Sequence, residues 1–117
     1  MSDVAFHRLD RDLIVQRLRD YARRQLAQRR EVREVILIGS LTRGDWSARS
    51  DADVVVIVEE AAESGPFRGV AYMPSESVGV AVDVLVYTPE EAANWSPRFR
   101  REVERGVVLY RWDERSH

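Results

Sequence analysis

The sequence predicts an α+β domain, in which a small mixed sheet of about three to five strands carries helices mainly on one face. Short runs of β-branched and aliphatic residues, bounded by glycine or polar clusters, recur along the chain and are typical of buried strands. Segments with helical spacing of apolar residues lie before and after them. With 117 residues, the chain is expected to form a single domain over residues 1–117.

The first half of the chain predicts one helix and two strands. Residues 9–30 favour a helix, because their leucines and Tyr21 recur on one face while arginines dominate the other. The segments Val32–Ile38 and Ala52–Val58 predict strands that are apolar on both faces, so each is expected to lie centrally in the sheet. A loop with Gly65 and Pro66 follows.

The second half predicts two more strands and two short helices. A third strand is predicted over Val78–Tyr87. Thr88 is a typical N-cap, and Glu91 completes its capping box at the start of a short helix. A second short helix over Phe99–Gly106 and a final strand over Val107–Tyr110 are expected to follow.

The composition argues against several protein classes. A net charge of −2 is unlike the basic surface of most nucleic-acid-binding domains, so direct nucleic-acid binding is not expected. The chain has no cysteine and no apolar stretch long enough for a signal peptide or a membrane span, and we expect a cytoplasmic protein. Every basic residue is an arginine, so any cationic contact with phosphate must come from a guanidinium group.

The polar stretch Gly39–Asp53 separates the first two predicted strands and concentrates the chemistry. Gly39 allows close approach to a ligand, and the N–H groups from Ser40 onward favour an anion. Asp51 and Asp53 are two residues apart at the start of the second strand, so alternation places both carboxylates on one face. An anion site beside two carboxylates suggests a nucleoside triphosphate held with a divalent metal.

Asp83 interrupts the apolar third strand and is a candidate third carboxylate. A buried carboxylate without a partner costs several kcal/mol, so a metal or a cationic partner is expected beside it. If the third strand lies next to the second, Asp83 joins Asp51 and Asp53, and one or two Mg²⁺ ions would offset their repulsion. In the alternative structural interpretation, Asp83 pairs with a core arginine and the other two aspartates cap a turn.

These residues resemble a known signature. Gly39-Ser40, a gap of ten residues and Asp51-Ala52-Asp53 match the Gly-Ser-x(10)-Asp-x-Asp pattern of the DNA polymerase β-like nucleotidyltransferase superfamily. Residues 82–91 and 105–110 also resemble the closing segments of its small prokaryotic members, the minimal nucleotidyltransferases. The resemblance covers roughly residues 32–111 and implies a small palm-like fold.

The resemblance also implies roles for individual residues. Gly39 and Ser40 would hold the β- and γ-phosphates, and Asp51, Asp53 and Asp83 would be catalytic and ligate Mg²⁺. Asp83 would also help to deprotonate the acceptor hydroxyl during transfer of a nucleotidyl group, expected to be AMP from ATP. On physical grounds, Arg43 is a candidate for neutralising the triphosphate, with a solvated turn residue as the alternative.

The acceptor is left open by the sequence. Small relatives of this kind are often encoded with a helical HEPN-type protein as toxin–antitoxin pairs, so such a partner protein is the first expectation, and a homodimer is also open. One alternative is nucleotidyl transfer to a small hydroxylated molecule of the aminoglycoside type. The other is an antitoxin-like binding module without turnover.

Overall fold

The computed structural model describes residues 3–43, 51–59 and 68–113, and within these ranges it describes every side chain except those of residues 3–10, 40 and 43. Within these ranges, no helix is both long and apolar enough to cross a membrane. The elements, in chain order, are helix α1 (Asp3–Tyr21), a π-helical turn (Ala22–Leu26), β1 (Val32–Ile38), α2 (Ser40–Arg43), β2 (Ala52–Val58), a 3₁₀ helix (Arg68–Tyr72), β3 (Val82–Tyr87), α3 (Pro89–Ala93), α4 (Pro97–Glu104) and β4 (Val107–Arg111).

The four strands form one mixed sheet in the order β3-β2-β1-β4. The two antiparallel pairs are β1 with β2 and β1 with β4, whereas β2 and β3 run parallel. The two strands predicted to be central, β1 and β2, occupy the centre of the sheet. Most of their valines and isoleucines are buried, on both faces, as expected for central strands. The predicted α+β class with a small mixed sheet is confirmed.

Three predicted boundaries are corrected. The first helix begins at Asp3 rather than at residue 9, and its regular part ends at Tyr21, where a π-helical turn follows. The third strand begins at Val82 rather than at Val78, because Gly79 has a φ of +101° that interrupts the extended backbone. Helix α4 starts at Pro97, with Ser96 as its N-cap. The capping box of Thr88 and Glu91 forms as predicted.

The sheet has two unequal faces. The first, which we call the α1 face, packs against α1, the π-helical turn and the 3₁₀ helix. Its buried side chains include alternate residues of β2 together with apolar residues of α1 and the π-helical turn: Leu18, Ala22, Leu26, Val54, Val56 and Val58. Because these residues are almost fully excluded from water, this layer supplies most of the apolar burial that stabilises the fold.

The opposite face, which we call the α4 face, is covered only in part by α3 and α4. Its buried residues are Ile36, Ile38 and Val55. Partly buried aromatic and aliphatic side chains of β2, β3, α4 and the connection between α3 and α4 surround them. Tyr87, Trp95 and Phe99 form an aromatic cluster with ring centroids 5.0 to 5.8 Å apart, in which Trp95 meets both other rings edge to face. The longest helix therefore lies on one face, and two short helices close part of the other.

Candidate functional site

The parallel pairing of β2 and β3 brings two of the predicted carboxylates together. Asp53 and Asp83 are direct Cα partners in the register of these strands. The pairing extends to the strand ends, where the N–H of Ala52 donates to the carbonyl of Ala81 at 2.8 Å. By alternation, both aspartates project on the α4 face, the face of Val55 and Leu85. Asp51 lies one residue before β2, at the same end of the sheet.

The burial of these carboxylates differs from the sequence-based expectation. Asp83 was expected to be buried, but its side chain is exposed, because β3 is an edge strand and the α4 face is open at this end. Asp51 is also exposed, and Asp53 is half-buried between its neighbours. The carboxylates therefore form a centre that is open to solvent, with Asp53 as its most enclosed member.

The electrostatics single out Asp53. Burial raises the pKa of Asp53 above its ordinary value, and the nearby negative charges of Asp83, Asp51 and Glu102 raise it further. The ionised form of Asp53 is thus disfavoured by its surroundings. A cation placed among these groups would reverse that effect, so the charge arrangement suits a positively charged ligand.

Gly39 lies directly against the Asp53 carboxylate. A Cβ atom at position 39 would be 3.0 Å from Asp53 Oδ2, and the φ of Gly39 is +94°, a conformation that other residues adopt with strain. The absence of a side chain therefore leaves the space above the carboxylate free and allows the sharp turn out of β1. This contact joins the two halves of the motif that the sequence singled out.

Helix α2 begins immediately after this turn, at Ser40. The Gly39 carbonyl accepts hydrogen bonds from the Thr42 N–H at 3.0 Å and from the Thr42 hydroxyl at 2.7 Å. A helix start leaves the N–H groups of Ser40 and Leu41 without intrahelical acceptors, as the predicted anion site requires. The side chains of Ser40 and Arg43, and the rest of the motif turn over residues 44–50, lie outside the described part of the chain.

Arg11 is a residue at this site that the sequence did not identify. Its Nε donates to the carbonyl of Leu41 at 2.5 Å, which ties α1 to the short helix after Gly39. In the sequence, Arg11 is one of many arginines on the polar face of the first helix, and no local pattern distinguishes it. Only the packing of α1 beside the turn gives it this role.

Glu102 is the second such residue. It lies on α4, one turn after Phe99 and next to Val103, both of which pack on the α4 face, so its carboxylate is near enough to act on Asp53. The amphipathic spacing of Phe99 and Val103 could have indicated that α4 packs on the sheet. It could not have indicated which strand end Glu102 would approach.

The arrangement of the carboxylates suits a metal ion that is bound partly by the protein and partly by the substrate. Among the described residues, no three acidic or histidine side chains converge closely enough to hold one ion by themselves. Mg²⁺ is typically bound by one or two carboxylates together with substrate phosphates and water. Asp53 and Asp83 provide such a pair, beside a turn that suits phosphate. The three-carboxylate ligand set of Asp51, Asp53 and Asp83 stays a prediction.

Comparison with known proteins identifies a family and a similar fold. The sequence model of the nucleotidyltransferase domain family matches residues 19–110. The fold is similar to the crystal structure of a proposed nucleotidyltransferase from Sulfolobus solfataricus, with a TM-score of 0.64 and 16% sequence identity, covering 97% of this chain and 93% of that one. No curated protein matches the chain significantly.

Proposed function

Because the chain belongs to the nucleotidyltransferase domain family, we propose that it transfers AMP from ATP to a hydroxyl group of a partner protein in a Mg²⁺-dependent reaction. The observation that carries the proposal is the register of Asp53 against Asp83, with Gly39 pressed on the Asp53 carboxylate. The carboxylates and the proposed phosphate-binding turn thereby lie together at one end of the sheet. There, positioning of the substrate and stabilisation of its charge can act together.

In the proposed reaction, the turn at Gly39 and the N–H groups at the start of α2 bind the β- and γ-phosphates. Arg11 holds this turn against α1 through the Leu41 carbonyl. The acceptor oxygen forms a bond to the α-phosphorus, the bond from that phosphorus to the β-phosphate oxygen breaks, and pyrophosphate leaves. The hydroxyl proton passes to a carboxylate oxygen of Asp83, whose exposure allows the acceptor to approach.

Mg²⁺ bound by Asp51, Asp53 and Asp83 would neutralise the triphosphate and lower the barrier to displacement. The strands β2 and β3 hold the carboxylate oxygens of Asp53 and Asp83 at fixed positions. For Asp53, burial and the neighbouring negative charges make the ionised form less favourable. The solvent-facing position of Asp51 and Asp83 favours an acceptor that arrives on a large surface, such as a loop or tail of a HEPN-type partner.

The proposal is tested with ATP labelled on the α-phosphate, added with Mg²⁺ and the purified protein to a lysate of its own source. We expect a labelled protein band, and γ-labelled ATP should leave it unlabelled. Asp53→Asn should lower the labelling at least about 1,000-fold, because several kcal/mol of transition-state stabilisation are lost. Asp20→Asn, a half-buried aspartate on α1 that contacts Gln16, is the matched control and should label normally.

The other outcomes separate the competing functions. Label in small molecules alone would replace the protein acceptor by a small hydroxylated one. ATP binding without label in any product would reduce the protein to a binding module. Equal labelling by Asp53→Asn and the unsubstituted protein would overturn the assignment of the carboxylate centre.

A further inference from the structure

The two edge strands of the sheet, β3 and β4, differ in how their outer edges are covered. The outer edge of β3 is closed by the 3₁₀ helix, because Arg68 donates to the Val86 carbonyl and Gly69 packs so tightly on the Val84 carbonyl that a Cβ atom would clash with it. Gly69 is therefore needed for this close cover. Such protection is common, because an open strand edge offers unpaired backbone groups to other chains.

In the part of the chain that the structure describes, the outer edge of β4 has no comparable cover. Within the described residues no strand pairs with this edge, and Arg19 Nη1 makes only a long hydrogen bond to the Val108 carbonyl, at 3.5 Å. The side chain of Val108 is 39% exposed. The edge therefore combines available backbone groups with an apolar side chain at the surface.

Arginines line one side of this edge. A groove of about 340 Å³ runs along this side, and its lining contains no carboxylate: Arg19, Arg23, Val108, Leu109, Tyr110 and Arg111. On the other side, Val108 and Arg111 border a pocket that also contains Glu34 and Glu104. Arg111 pairs with Glu34 at 2.9 Å. Arg23 is exposed, and its side chain has no ion-pair partner among the described residues. The groove is thus positively charged although the chain as a whole has a net charge of −2.

We propose that the outer edge of β4 binds an extended acidic segment of a partner protein, which adds to the sheet as a fifth strand. The backbone of β4 would supply the ladder hydrogen bonds, Val108 an apolar contact, and the arginines the charge complement to glutamate or aspartate. A second copy of this chain fits less well, because pairing β4 with β4 would bring the same arginines face to face.

The location of this edge relates it to the carboxylate centre. Val107, at the start of β4, pairs with Leu37, two residues before Gly39. A segment bound antiparallel to β4 would leave the sheet at that end. The binding itself does not depend on catalysis, so it can be tested separately from the proposed function.

The test uses a fluorescent heptapeptide of alternating glutamate and valine, with fluorescence anisotropy as the readout. We expect it to bind at least about tenfold more tightly than the lysine and valine counterpart, and more weakly as salt is added. Amide NMR shifts should concentrate at residues 107–111. Arg23→Glu should weaken binding about tenfold. Arg98→Glu, an exposed arginine on α4, is the matched control and should bind normally.

Several results would overturn the proposal. These are equal binding of the acidic and basic peptides, undiminished binding of an acidic peptide with a central proline, and equal effects of Arg23→Glu and Arg98→Glu. Tighter binding of a single-stranded oligonucleotide would assign the groove to nucleic acid, and dimerisation abolished by Arg23→Glu would assign it to a second copy. Asp53→Asn should bind the acidic peptide normally, which separates this test from that of catalysis.

Discussion

The two faces of the sheet have different tasks although the same strands build both. The α1 face buries Val54, Val56 and Val58 under a long helix, and the α4 face buries mainly Ile36, Ile38 and Val55 under two short ones. Asp53 and Asp83 project on the α4 face. A sheet whose stability comes mainly from one layer can thus keep part of its other layer open for charged groups that would be costly to bury.

The largest predicted effect concerns the α1 face. Leu18 is fully buried on α1, so Leu18→Ala should lower the free energy of unfolding by about 2–5 kcal/mol, through lost burial and a cavity. Urea denaturation measures this loss. Leu13 lies on the same helix but is 48% exposed, and Leu13→Ala should change stability by at most about 0.5 kcal/mol. Similar losses at both positions would mean that this layer is not the main source of stability.

The next effect concerns cation binding on the α4 face. Mg²⁺ with a non-hydrolysable ATP analogue, at about 100 times its Kd, should stabilise the protein by about 2.7 kcal/mol in thermal unfolding. Asp53→Asn should remove this stabilisation. Without the cation this variant should be no less stable at neutral pH, because a raised carboxyl pKa means that ionisation weakens the folded state. The difference in stability between this variant and the unsubstituted protein should vanish at a low pH, where Asp53 is protonated in both the folded and the unfolded state.

A smaller effect compares adjacent residues on opposite faces. Val54 and Val55 are both fully buried, Val54 on the α1 face and Val55 on the α4 face. Val54→Ala should cost about 2 kcal/mol and Val55→Ala about 1 kcal/mol, because the thinner layer can relax into the space left behind. Denaturant titration of both variants decides the matter. An equal or larger loss at Val55 would show that the α4 face is packed as firmly as the other.

The smallest effect is a pH dependence at the start of α3. The hydrogen bond from the Thr88 N–H and the nearby Arg68 lower the pKa of Glu91. Because the pKa of Glu91 is lower in the folded protein, its ionised form stabilises the fold at pH values above the pKa that Glu91 has in the unfolded chain. That stability is lost as the pH falls through the pKa of Glu91 in the folded protein. Glu91→Gln should therefore lower the free energy of unfolding by about 0.2–1 kcal/mol at pH 7, since the Glu91 side chain is exposed to solvent. The difference should shrink in acid, and a constant difference from pH 7 to pH 3 would refute this origin.

Much of the fold was predictable from local patterns. The valine runs identified β1 and β2 with their observed ends, and Thr88 with Glu91 identified the start of α3. Alternation along the strands, with the condition that β2 and β3 are neighbours, also anticipated that Asp53 and Asp83 would meet. These predictions succeeded because each depended on residues close together in the chain or on one pairing.

The remaining features depend on long-range packing. Arg11 reaches Leu41 and Glu102 acts on Asp53 across large sequence separations, so no local pattern identified them. The exposure of Asp83 follows from the edge position of β3, which the apolar composition of that strand concealed. The start of β3 was misplaced because Gly79 was read as part of a continuous run, although its positive φ interrupts the strand.

The parallel pairing of β2 with β3 also sets the order in which the site can be completed during folding. Residues 39–51 separate β1 from β2 in the chain, whereas the longer segment of residues 59–81 separates β2 from β3. Contacts that close longer loops cost more chain entropy and tend to form later. A chain in which β3 has not yet docked thus holds Gly39 and Asp53 together but lacks Asp83 beside them. Newly made molecules would acquire the complete carboxylate centre only after β3 has docked on β2.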